Sequence, residues 1–328
     1  MRLTRRSFST STMSLLAACH DPTSTSPALA GWRAGPRAPY AVQEIYPALH
    51  RGAIWIAGGF APLAALGSTQ RVIVLDLASK KWGEGPHLPT PSHHVQLASL
   101  NDDLYAIGGF LGGANRRRWT CTTRVLKLSG DAWSEAPPLP RPVAEGMALA
   151  HGGSIHLIGG RSPRAGANQE WDDQTDIDDH FVFTPDEGWR RAAPLPLARN
   201  SHGGAVLGDE LHIVSGRTVA TNQTPAHHIY DTRTSTWRNG PDFPEPRGGI
   251  AATAWRSGII AGGGEIFTPP SVGDTLYQFV NGAWSRFGAM PTPRHGHGLI
   301  AAGGSLYALG GARRPSADGT LASVDILS

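Results

Sequence analysis

Residues 103–109 read DLYAIGG and residues 154–160 read SIHLIGG. The same pattern returns as AIWIAGG (53–59), ELHIVSG (210–216), SGIIAGG (257–263) and SLYALGG (305–311). The last glycines of these segments lie 50, 51, 56, 47 and 48 residues apart. A second landmark keeps step: Trp32, Trp82, Trp133, Trp189, Trp237 and Trp284 follow one another at 50, 51, 56, 48 and 47 residues. Two landmarks in phase through six units mark a repeat of one supersecondary unit. Each glycine-ended segment reads as a short apolar strand, closed by residues that permit a tight turn or a close backbone approach. The later runs, such as Val72-Ile73-Val74-Leu75 and Phe181-Val182-Phe183, read as β-branched or aromatic strands. The Trp opens an outer strand, and Pro-rich turns such as Pro138-Leu139-Pro140 stop it. The 41 glycines and 26 prolines, together with the lack of any sustained 3.6-residue apolar period, exclude an α-rich fold.

A glycine pair with a downstream Trp at this period resembles the kelch repeat, and the resemblance covers residues 31–328. It implies an all-β fold, a six-bladed β-propeller of four-stranded blades. Trp32 precedes the first glycine pair and the last unit has no Trp of its own. The N-terminal strand is therefore expected to supply the outer strand of the sixth blade, a closure that leaves no open sheet edge.

Residues 1–18 read as an export signal. Thr4-Arg5-Arg6-Ser7-Phe8 resembles the twin-arginine motif, and Leu16-Ala17-Ala18-Cys19 resembles a bacterial lipobox with Cys19 as the lipidated residue. Residues 19–30, rich in Pro, Ser and Thr, read as a tether. The expected location is the periplasm or cell surface, with a lipid anchor as the only membrane contact; by resemblance to sorting signals, His20 favours the outer membrane. Only Cys121 remains for any disulfide, so none is expected within the propeller. Arg2, Arg5 and Arg6 account for the whole excess of 29 bases over 26 acids. The rest of the chain is neutral, with no basic stretch for a nucleic-acid backbone.

Strand alternation brings two sets of residues to one mouth of such a fold. After the Pro-rich turns come His93 and His94, Glu145, Arg199 with Asn200 and His202, Arg247, and Arg294 with His295. After the glycines come Phe60, Phe110, Arg161, Arg217, Glu265 and Arg313. This reading gives an arginine-rich mouth carrying Glu145 and Glu265. Guanidinium forks suit carboxylates and hydroxyl-rich anions. Arginines at these positions also serve to bond neighbouring blades, so the ring carries the expectation better than any single member.

Gly262-Gly263-Gly264-Glu265-Ile266 resembles the corresponding segment of bacterial periplasmic sialic-acid mutarotases (N-acetylneuraminate epimerases), which are six-bladed kelch proteins. That resemblance implies a catalytic role for Glu265 as acid or base. The family's Arg six residues later is Ser271 here, with Arg217 or Arg247 as spatial substitutes. The third unit has the longest connection, with Trp171 to stack on a sugar or cover the mouth. Its Asp172-x3-Asp176-x3-His180 spacing resembles the iron site of plant specifier kelch proteins, so a divalent metal is a candidate cofactor there. Otherwise no cofactor is expected. Copper-radical oxidase chemistry needs paired tyrosines at the mouth, and the sequence offers no such pair.

Three functions follow. The first is an exported, lipid-anchored module that binds a carbohydrate, peptide or protein at its mouth. The second is a mutarotase or epimerase acting on an acidic sugar such as sialic acid. The third is a metal-dependent lyase or isomerase using the acidic loop. The missing Arg after Glu265 favours the first.

Overall fold

Near-continuous apolar runs, buried on both faces, make strands of the glycine-ended segments, and each strand pairs inside its own repeat. The computed structural model describes residues 31–62, 67–112, 119–164, 166–220, 222–316 and 318–328; the export signal, Cys19 and the tether lie outside them. Among the described residues, six four-stranded antiparallel sheets account for the six repeats. The third is representative. From inside outwards it runs Met147–His151, Ser154–Ile158, His180–Thr184 and Gly188–Arg191. In the last sheet the fourth place belongs to Trp32–Ala34, which pairs with Val324–Leu327 and sets Trp32 opposite Leu327. No described helix is long and apolar enough to cross a membrane.

The core lies between consecutive sheets. Tyr105, Ile107 and Val125 of the second repeat pack against Ile155, Leu157, Phe181 and Phe183 of the third, all nearly excluded from water. Four of the six landmark tryptophans bond a carbonyl of the preceding repeat: Trp82 Nε1 donates to Pro36 O (2.8 Å), Trp133 to Pro86 O (2.8 Å), Trp189 to Pro137 O (2.9 Å) and Trp237 to Ala193 O (2.8 Å), while Trp284 Nε1 turns to His227 Nδ1 (3.3 Å). Each of the four pairs an indole N–H with a carbonyl that would otherwise go unsatisfied, which explains why Trp keeps phase with the repeat.

The second glycine of each pair makes the inner link. Gly59 N–H donates to Ser92 O, Gly109 to Val143 O, Gly160 to Arg199 O, Gly216 to Arg247 O and Gly264 to Arg294 O; Gly311 donates to Val42 O, back in the first repeat. The approach is too close for any side chain, since a Cβ on Gly160 would sit 2.4 Å from Ala144 O. This series also corrects the alignment in the fifth repeat. Its equivalent glycine is Gly264, not Gly263, and with that change the glycine spacings match the tryptophan spacings throughout.

Beyond the glycines the chain forms short two-stranded ribbons, such as Arg161–Pro163 with Gln174–Asp176, Arg217–Thr218 with Asn222–Gln223, and Glu265–Phe267 with Pro270–Val272. These carry the walls of the site.

Candidate functional site

One backbone position recurs just before each inner strand: Glu44, His94, Glu145, Ser201, Gly249 and Gly296. All six are left-handed, with φ of 55°, 55°, 53°, 52°, 65° and 54°. Amides of four of them bond from repeat to repeat, His94 N–H to Glu44 O (3.1 Å), Ser201 to Glu145 O (2.9 Å), Gly249 to Ser201 O (2.9 Å) and Gly296 to Gly249 O (3.0 Å), and Ile45 N–H, next to Glu44, donates to Gly296 O (3.3 Å). A side chain in this conformation costs roughly 1–2 kcal/mol, so four non-glycine residues here are held by their surroundings. Glu44, His94 and Glu145 line a cavity of about 410 Å³. Over one of the two glycines, Gly296, lies the Glu44 carboxylate. Gly296→Ala is expected to cost about 1–2 kcal/mol of strain and to displace Glu44, whose carboxylate lies 2.7 Å from where the new Cβ would stand. A urea melt, with a crystal structure of the variant, checks both effects.

Across the floor runs a network of charged groups. Glu44 Oε2 lies 2.9 Å from His94 Nε2, and His94 Nδ1 lies 2.7 Å from His93 Nδ1. Burial alone would raise the Glu44 carboxyl; His94, then His295 and Arg217, outweigh it and bring the value down to about 2. Arg217 is the hub. Its Nη1 donates to Glu265 Oε1 (3.0 Å), its Nη2 to Ser201 Oγ (3.2 Å) and its Nε to Asn200 Oδ1 (3.1 Å). Nη2 also stands 3.6 Å from Glu145 Oε2. Burial opposes the charge on Arg217, but Glu145 and Glu265 raise it above the ordinary arginine value. Glu145 is buried too, yet His94, Arg161 and Arg217 lower its carboxyl, helped by Ser201 Oγ at 2.7 Å. Glu265 Oε2 accepts from Ser316 N–H (2.8 Å), with His295 Nε2 at 3.6 Å.

The walls are aromatic: Phe60, Trp119, Trp171 and Phe267. Phe60 stacks on His93 at 4.0 Å, and Trp119 stands edge-on to Phe60 and Phe110. Trp171 opens a short 3-10 turn and lies over the Arg161 guanidinium at 3.8 Å. Phe267, on the rim, is 41% exposed.

The structure thus brings His94, Glu145, Trp171, Arg217 and Glu265 to one cavity, with Arg161 directly behind Trp171. The arginine-rich mouth is not what it builds, because only Arg217 among the six arginines lines the cavity. Arg199 is wholly buried and bonds Ser215 O (2.8 Å), Ile213 O (3.0 Å) and His228 Nδ1 (2.8 Å). Arg294 repeats that clamp on Gly310 O (3.0 Å) and Asp325. Both stand two residues before the floor position, where the side chain turns into the sheets. Arg247 bonds Glu245 and, at 3.2 Å, Ser271 Oγ, so an arginine reaches Ser271 from a neighbouring segment but does not touch Glu265. Arg313 is exposed and one residue out of phase: Ala312, bridged to His295, is the true counterpart of Arg217.

The three residues of the metal expectation do not converge. Asp176 accepts from Asn200 Nδ2 and Val219 N–H, both at 2.6 Å, while His180 Nε2 faces His156 Nδ1 (2.9 Å) and its Nδ1 faces Ala193 O (3.2 Å). Asp172 sits on the 3-10 turn. Among the described residues no three His, Cys, Asp or Glu side chains form a metal-binding group. Cys121 is buried and unpaired. Sequence reasoning missed Glu44, Ser201, Trp119, Phe267 and Ser316.

Comparison with known proteins bears on the repeat. Residues 91–140 match the Kelch motif. The chain carries kelch repeats. It is similar to alpha-scruin of Limulus polyphemus, 27% identical over 228 residues, which make up 66% of this chain and 24% of that one. It is also similar to Kelch-like protein terF of Aspergillus terreus (25% over 285 residues; 83% and 61%) and to Kelch-like protein 40 of Mus musculus (24% over 231 residues; 67% and 35%). The chain spans about a quarter of the length of the scruins it matches. Among solved structures, that of YjhT superposes with a TM-score of 0.73 at 17% identity, over 90% of this chain and 99% of the other. That likeness concerns the fold.

Proposed function

We propose that the six sheets are the blades of a closed propeller, exported and lipid-anchored at Cys19, whose axial mouth binds a small, neutral carbohydrate. The observation that carries this reading is the cavity itself: about 410 Å³, walled by four aromatic rings and floored by three carboxylates around one guanidinium. The volume is in the range of small-molecule sites, roughly 300–1,000 Å³. A pyranose ring offers apolar faces to rings such as Trp119 and Trp171, and hydroxyls to carboxylate acceptors. An acidic sugar is a poorer fit. Its carboxylate would meet Glu44, Glu145 and Glu265, and the Arg217 fork is already engaged by Glu265, Asn200 and Ser201.

Isothermal titration with D-glucose, D-galactose, D-mannose, N-acetyl-D-glucosamine and N-acetylneuraminate tests the reading. At least one neutral sugar is expected to bind, more tightly than N-acetylneuraminate, and Trp119→Ala to weaken it by tenfold or more, about 1.4 kcal/mol. Binding of the acidic sugar alone, or of none, would contradict it.

A second reading, sugar mutarotation, is favoured by one observation: Arg217 holds Glu145 and Glu265 on the same cavity, 3.6 and 3.0 Å from its nitrogens. One carboxyl would return a proton to the ring oxygen as the C1–O5 bond opens, while the other carboxylate takes the proton of the anomeric hydroxyl. Anomer equilibration followed by NMR with wild type and Glu265→Gln decides it. Rates equal to those without protein remove the enzyme.

A further inference from the structure

Behind the Trp171 wall, buried polar atoms lack partners among the described residues. They are Oε1 of Glu145 and both Nε and Nη1 of Arg161. Glu145 and Arg161 are wholly excluded from solvent. Their nearest approach, Nη1 to Oε1, is 3.9 Å, too long for a hydrogen bond. Arg161 has five N–H donors, and its Nη2 is spent on Gln174 O at 3.2 Å. Trp171 closes the space from the cavity side, its ring 3.8 Å from the guanidinium, and both Trp171 and Glu145 line the cavity. Leaving a buried charged donor and a buried charged acceptor without hydrogen bonds is costly, and one oxygen about 2.8 Å from each, set to the side of the line joining them, would satisfy both.

The bridging group must donate to a carboxylate and accept from a guanidinium at once. A carboxylate or phosphate would satisfy Arg161 and be repelled by Glu145. An ammonium would satisfy Glu145 and be repelled by Arg161. A hydroxyl does both, being one donor and two acceptor sites on a single oxygen.

The geometry points to a hydroxyl-recognising subsite in which one ligand hydroxyl seats between Glu145 Oε1 and Arg161 Nη1, with Trp171 as its cover. This rests on the carbohydrate reading above and adds to it: the occupant is a polyol or sugar with a free hydroxyl at one defined position, and Arg161 is a binding residue although it does not line the cavity. Loss of a hydroxyl that a buried site is built to bond is strongly discriminated.

The test is a cycle between ligand and protein. The tightest-binding of the four neutral sugars named above is compared with its monodeoxy analogues on wild type, Glu145→Leu and Arg161→Met. On wild type, one analogue is expected to bind at least about tenfold more weakly than the parent. On either variant the parent should fall to that level, with no further loss for the analogue. An analogue series flat to within about threefold on wild type, which needs no variant to fold, overturns the subsite while leaving the carbohydrate reading intact. So does an undiminished penalty on a folded variant, which would mean that the gap holds only water. If none of the four sugars binds wild type, the carbohydrate reading itself falls and takes the subsite with it.

Discussion

Replacing Arg217 with Met is expected to lower stability by about 3–5 kcal/mol, the range for removing one partner from a buried charge pair. The variant keeps the packing of the methylene stem but strands Glu265 Oε1 and removes the positive neighbour of Glu145 Oε2, both in nearly water-free surroundings. Glu145 and Glu44 have carboxyls held low partly by Arg217. Without it those values rise towards or above the unfolded ones. A carboxyl with a depressed folded value contributes stability above its unfolded pKa and loses it as pH falls. The gap between wild type and variant is therefore largest near pH 7 and narrows towards pH 4, where Glu44 and Glu145 of the variant take up protons. Urea melts at both pH values check this. A loss under about 1 kcal/mol at pH 7 would mean that the carboxylates are solvated and the network is a surface one.

The second large effect comes from histidines away from the cavity. His156 Nδ1 and His180 Nε2 lie 2.9 Å apart in the third sheet, and His212 Nδ1 and His227 Nε2 stand at the same distance in the fourth. Burial drives all four down: His156 and His212 to about 4, His180 and His227 to about 3. Neighbouring positive or protonatable groups push the same way, His151 on His156, His156 on His180 and His212 on His227; at His212, Glu210 opposes. The folded state holds these rings neutral, so their contribution is fully present above about pH 6.5 and is lost as pH falls towards 3–4. Between pH 7 and pH 5 each should cost up to about 2 kcal/mol, most of the stability of an ordinary domain in total. The carboxylates contribute little in that window, because their losses begin below about pH 4.5. A thermal-melt series should show a steep fall in Tm from pH 6.5 to 5, made shallower by His180→Asn. A flat profile would place these rings in water.

Much of this architecture was readable because its signals are local. A glycine forced by the Ala144 carbonyl and an indole needed by the Pro86 carbonyl each leave one invariant letter per repeat. The floor of the cavity leaves none. Its six positions obey the tryptophan spacings of 50, 51, 56, 48 and 47, but they are filled by Glu44, His94, Glu145, Ser201, Gly249 and Gly296, which share backbone geometry and no side-chain chemistry. Glu44 was the harder to see because its repeat has no preceding glycine pair to set the frame. The arginines misled for the opposite reason. Arg199 and Arg294 stand two residues before the floor position and turn into the sheets, whereas Arg217, directly after its glycine, reaches the cavity. The acidic loop carried the spacing of a metal site, but Asp176 reaches across to Asn200 and Val219 of the next repeat, contacts that no spacing within the loop could reveal.

The most direct test of the carbohydrate site is a crystal of the wild-type protein soaked with the tightest-binding neutral sugar. A single pyranose is expected in the cavity, its ring against Trp119 or Trp171, with a hydroxyl about 3 Å from Glu145 Oε1. A sugar bound elsewhere on the sheets, with the cavity between Glu44 and Glu265 left to solvent, would contradict the carbohydrate site.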